Sequence, residues 1–152
     1  MRAISRRDAL ILSAGVGLLA ATRSSRSAHA EEDLAKLAFS EMYVPGSVDF
    51  TPKLQRLDSK RVLVPGYMAP PLKPEATFFV LTSVPMATCP YCDDAMSWPD
   101  SIVLVRTRAV IRVIDFDRRI AVNGRLELGT DIDKDTGFVS RVRLMDAQYS
   151  RI

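Results

Sequence analysis

The sequence predicts an all-β domain with one or two short helices. The expected arrangement is a small antiparallel OB-like barrel, with a small β-sandwich as the alternative. Three observations carry this. Five strand-like runs lie between Arg61 and Met145, separated by short connections rich in turn-forming residues. No long amphipathic helical stretch divides them, so the alternation of strand and helix that a parallel α/β sheet needs is missing. The first run contains Pro65-Gly66, which suggests a bulge or sharp bend, because proline cannot donate to the ladder and glycine tolerates unusual backbone angles.

The chain opens with a segment that reads as a targeting signal rather than as part of the fold. Ser5-Arg6-Arg7-Asp8-Ala9-Leu10 holds paired arginines, an apolar stretch runs to Ala21, and Ala28-His29-Ala30 places small residues at a cleavage site before Glu31. The stretch is too short for a bilayer span, which takes roughly 20 residues. It resembles a twin-arginine export signal, with Arg6, Arg7 and Leu10 as its motif and Ala28 and Ala30 as its cleavage residues. Ala9 stands where that motif usually has Phe. Arg23 and Arg26 near the cleavage site are also typical of such leaders. An uncleaved anchor is the competing reading. Export implies the twin-arginine translocase as a partner and a periplasmic or extracytoplasmic address.

Charge and histidine content change once residues 1–30 are set aside. The whole chain carries a formal +3, but the leader holds five arginines against Asp8, which leaves 16 basic and 17 acidic residues in the rest. The basic pI of about 9.1 therefore belongs to the signal and gives no support for nucleic-acid binding. The single histidine, His29, leaves with the leader. A histidine-free product has no Ser-His or Cys-His couple and no histidine metal ligand. No second long apolar stretch follows, so the mature product is expected to be soluble, with no transmembrane segment.

Residues 31–59 read as an N-terminal extension and 60–152 as the OB-like β-domain. Glu31 to Ser40 is expected to be a short helical or frayed lead-in. Thr51-Pro52 supplies an N-cap and a proline at the first helical position, with Leu54 and Leu57 as the apolar face of about two turns. The first strand is expected over Arg61 to Met68. Thr77 to Val84 is apolar on both faces, hence central. Ile102 to Arg106 follows, with an irregular continuation through Val110, Val113 and Phe116. Ala121 to Leu128 alternates in its second half. Gly137 to Met145 places Phe138, Val142 and Leu144 on one face and Val139, Arg141 and Arg143 on the other.

Several of these pieces form a recognisable set. They are Val64-Pro65-Gly66-Tyr67-Met68-x-Pro70, the Phe78 to Leu81 strand, a cysteine loop, Val122-x-Gly124-x-Leu126, an acidic turn and Leu144-x-Asp146-Ala147. Together they resemble a family of small exported bacterial proteins whose domain has no assigned function. The resemblance covers Lys60 to Ala147, and Gly66-Tyr67-Met68 is its most specific piece. It implies an all-β, OB-like domain in the periplasm or at the envelope, and no reaction.

Chemistry concentrates at Thr88-Cys89-Pro90-Tyr91-Cys92, which holds both cysteines of the chain. Three readings stay open. The tetrapeptide matches the active site of glutaredoxins, so Cys89 could attack a disulfide and Cys92 resolve the mixed disulfide. Asp93-Asp94 and Pro99 oppose this, since the acids raise a thiol pKa and the proline cuts short the helix that would lower it. As a metal site the two thiolates supply half of a tetrahedral zinc set. Met86 and Met96 add two thioethers, a combination suited to copper(I), although methionine also serves as gap filler. The third reading is a structural disulfide clasp, whose short ring contributes less than the ~3 kcal/mol expected of a loop of about 15 residues.

Other candidates are weaker. Asp131 to Gly137 mimics a calcium loop, but Thr136 and Val142 occupy the positions that need Gly and Glu, so a solvated hairpin turn is expected. Asp115 to Arg119 reads as a turn with exposed ion pairs. Trp98 beside the cysteines is a candidate binding aromatic or a lid over a barrel end. The combined expectation is an exported, non-enzymatic envelope protein that binds an unknown envelope partner or a soft metal through the Met86 to Trp98 loop. A thiol-disulfide oxidoreductase and a purely structural or assembly protein are its alternatives.

Overall fold

The computed structural model describes residues 34–71, 75–87, 100–134 and 137–152. In chain order the elements are β1 (Ala35–Lys36), a 3-10 turn (Phe39–Glu41), α1 (Pro52–Arg56), β2 (Arg61–Met68), β3 (Phe78–Thr82), β4 (Ile102–Arg106), β5 (Arg119–Ile132) and β6 (Val139–Arg151). The protein is all-β in class, with a single short α-helix among the described residues.

The strands form in response to period-two burial. β2 buries Val62, Val64, Gly66 and Met68 and turns Arg61, Leu63, Pro65 and Tyr67 the other way. β5 buries Ile120, Val122, Gly124 and Leu126 in the same manner, so the alternation holds from its start and the strand is longer than Ala121 to Leu128. β3 is buried on both faces, as a central strand requires, but is confined to Phe78–Thr82. β6 runs to Arg151, six residues beyond the expected Met145.

Pairing runs around a ring. β2 pairs with β3 through Tyr67 and Thr82, β3 with β4, β4 with β6, β6 with β5, and β5 returns to β2 from Arg61↔Arg125 to Tyr67↔Arg119. The sheet is mixed, not antiparallel as expected: β4 and β6 run parallel through Leu104↔Arg143 and Val105↔Leu144. The cause is arithmetic. Five strands that alternate in direction around a closed ring must bring two like-directed strands together once. β1 adds a second parallel pairing, Ala35↔Val62, on the outer edge of β2.

β2 can serve both neighbours because Gly66 sits where they meet. A Cβ there would lie 2.7 Å from the Thr82 carbonyl oxygen and 2.9 Å from Leu81 Cγ. The proline-glycine pair thus marks a close backbone approach.

Val62, Val64, Phe79, Leu81, Val103, Val105, Ile120, Val122, Leu126, Val142 and Leu144 fill the ring. Leu37, Met42 and Leu54 from the extension enter the same core. The Thr51 hydroxyl caps α1 by accepting the Leu54 N–H at 3.1 Å, and Pro52 opens the helix as its sequence predicts. Within Glu31 to Ser40 only Phe39 and Ser40 are helical where described, as the start of the 3-10 turn. Ala35–Lys36 instead adds to the β2 edge, and the Glu41 carboxylate accepts the Ala38 N–H at 3.0 Å to close the 3-10 turn.

Two further expectations change. Residues 107–118 carry no strand; Ile111 and Ile114 enter the core, while Val110, Val113 and Phe116 are exposed. Phe138 does not join Val142 and Leu144. It precedes β6, in the turn where its carbonyl accepts the Asp133 N–H at 2.8 Å, and packs on Ala69, Val80 and Ile102 outside the ring.

Candidate functional site

Of the residues singled out for chemistry, Cys89, Cys92, Met96 and Trp98 lie outside the described residues, as do Arg6, Arg7, Leu10, Ala28 and Ala30. Met86 is described and half-buried. The boundaries of the cysteine connection are well defined. Ser83 N–H donates to the Ser101 carbonyl at 3.0 Å, extending the β3–β4 ladder by one rung. The Thr82 hydroxyl donates to the Val84 carbonyl at 2.7 Å. The chain therefore leaves the ring after Ser83 and rejoins it at Ser101, at one rim. Among the described residues no three His, Cys, Asp or Glu side chains group to hold a metal.

The opposite end of β4 leads to a groove of about 640 Å³ that sequence reasoning missed. It originates in a β-bulge. Asn123 pairs with Gln148 but Arg125 pairs with Met145, so β6 fits one more residue than β5 across this step. Asp146 absorbs the extra residue with φ +50°, a left-handed conformation that aspartate tolerates better than most side chains. Opposite it, a Cβ on Gly124 would lie 2.9 Å from Leu144 Cβ, so only glycine fits the pinched strand without displacement.

The bulge sets Asp146 against two arginines from distant parts of the chain. Arg108 Nε donates to Asp146 Oδ1 at 2.7 Å. Arg61 Nε donates to Asn123 Oδ1 at 3.2 Å, and its Nη2 reaches the Asp146 carbonyl at 3.4 Å. Tyr149 braces the wall: its hydroxyl accepts the Arg112 N–H at 2.7 Å and donates to the Arg112 carbonyl at 2.9 Å, while its ring meets Phe79 edge-on at 5.2 Å. The Arg108 hydrogen bond holds the Asp146 carboxyl below the usual aspartate range, helped by the charges of Arg108, Arg125 and Arg61. Arg108 is held above its ordinary value by the same partner.

Two signals for this site were present in the sequence. Gly124 falls at a position that strand alternation assigns to the core, and Asp146 interrupts β6 between Leu144 and Ala147, both buried. Neither signal identifies Arg61 or Arg108.

The acidic segment is the hairpin turn expected between β5 and β6, with Asp131, Lys134 and Gly137 exposed, but one of its acids is not solvated. Asp133 is buried and receives Arg106 Nη2 at 2.5 Å. Residues 135–136 lie outside the described set. Asp115 to Arg119 does form a turn, with Arg118 N–H donating to the Asp115 carbonyl at 2.9 Å and an exposed Asp117–Arg118 pair.

Ring and groove together define a small mixed-sheet β-protein with a polar cleft on its outer surface. Its fold is similar to the crystal structure of a DUF3299 family protein from Pseudomonas aeruginosa PAO1. The TM-score is 0.50 at 16% sequence identity, covering 78% of this chain and 96% of that one. At that identity the likeness concerns the fold alone. No protein-family model and no curated protein matches the chain. Among the described residues no helix is long and apolar enough to cross a membrane.

Proposed function

We propose that this is an OB-like binding domain of the bacterial envelope, exported by the twin-arginine route, which engages a protein partner or a soft metal through the connection 84–100. The OB-like reading is supported by the ring β2-β3-β4-β6-β5 with its single parallel contact between β4 and β6, together with the close approach of β2 to β3 at Gly66. A sandwich needs two separate sheets, whereas here one ladder continues around.

The observation that carries the binding reading is the pinning of Ser83 to Ser101. It fixes the two ends of the connection whose sequence holds Met86, Cys89, Cys92, Met96 and Trp98. Sulfur ligands of two kinds on one connection suit copper(I), or zinc through the thiolates. Metal analysis of protein purified without chelators tests this. Copper or zinc in the parent and its loss in Cys89→Ser/Cys92→Ser is the expected result. Equal, near-zero content in both removes the metal and leaves partner binding as the role of the connection.

A further inference from the structure

We propose that the groove beside the Asp146 bulge binds a small organic anion through a carboxylate or phosphate group held between Arg61 and Arg108. This site is at the other end of β4 from the cysteine connection and does not rest on the reading of that connection. Two guanidinium groups and one carboxylate line the groove, only Arg108 being paired with that carboxylate, which leaves a positive surplus in a cleft large enough for a ligand with a body as well as a charge. Unused donors agree in sign. Among the described residues Arg108 spends only Nε on Asp146, and Asn123 accepts from Arg61 with its oxygen, which leaves its amide N–H groups to face a ligand. Arginine presents its donors as a planar fork that matches a carboxylate or phosphate.

The bulge explains the position of Asp146. A strained, left-handed aspartate inside a long strand is costly, and bulges of this kind re-aim side chains at binding sites. Its carboxylate holds Arg108 in the groove while the site is empty, and a ligand oxyanion competes with it for the same fork.

Nitrogen-15 spectra of the purified full chain, titrated separately with inorganic phosphate and with citrate at constant ionic strength, test the proposal. Amides of Ala109, Asn123, Asp146 and Gln148 are expected to shift saturably with at least one of the two, and which one saturates distinguishes phosphate from carboxylate. Arg61→Gln/Arg108→Gln should weaken binding about tenfold or more, as loss of charge-assisted hydrogen bonds does. Both arginines are exposed, so folding is retained. Asp146→Asn, which removes the competing charge, should tighten binding several-fold. No saturable shift with either anion, or a titration unchanged in the double variant, overturns the site.

Discussion

Asp146 combines an unusual backbone angle with an ion pair, and its titration reports on the pair. Its carboxyl lies below the ordinary range chiefly because Arg108 hydrogen-bonds the charged form. A depressed acid contributes stability that is complete above the ordinary aspartate value near 4 and is lost as pH falls through the lower folded value. Replacing Arg108 by Gln should therefore raise the Asp146 midpoint towards the ordinary value. Carbon-detected NMR titration of the carboxyl measures it, and an unmoved midpoint would show that the pair does not form in solution. The pair is exposed, so the effect on overall stability is small. Nothing about residue 146 in isolation announced this role. In the sequence Arg61 stands at the head of the first strand, Asp146 in the resembling set and Arg108 in no motif, and only the bulge and the return of β5 to β2 bring them together.

At the level of elements, β2 is the strand on which the others depend, and it was the most legible. Pro65-Gly66 read as a bulge or sharp bend; β2 keeps an unbroken register with β5 from Arg61 to Tyr67, and the pair marks instead a close backbone approach at Gly66. Gly66→Ala puts a methyl within 2.7 Å of a carbonyl that the ladder holds in place. The expected cost is about 1–3 kcal/mol, the usual range for overpacking. Chemical denaturation measures it, and unchanged stability would mean that β2 and β3 are less closely apposed than described. The capped helix was equally legible, because Thr51-Pro52 acts within one turn. β1 was not, since two residues pair as a strand only because the β2 edge is there to receive them. The far half of β6 was missed for a related reason. Asp146 breaks the alternation by which a strand is recognised, and the bulge repairs it in space rather than in sequence.

For the molecule as a whole, the sequence reading found the class and missed the mixed sheet, which is a property of closure and not of any strand. Closure also has a kinetic side. The hairpin β5–β6 joins neighbours in the chain, whereas β2 meets β5 only by bringing Arg61 to Arg125 and Val64 to Val122 across most of the domain. Such long-range pairing must meet its loop-closure entropy before contacts reward it, and it slows folding. We expect the β2–β5 seam to be formed in the transition state. Val64→Ala should then lower the refolding rate by most of its effect on stability, as stopped-flow chevrons would show, and a change confined to unfolding would place the seam after the barrier. The same pairing that lets β2 complete the sheet thus makes it the slowest part of the structure to assemble.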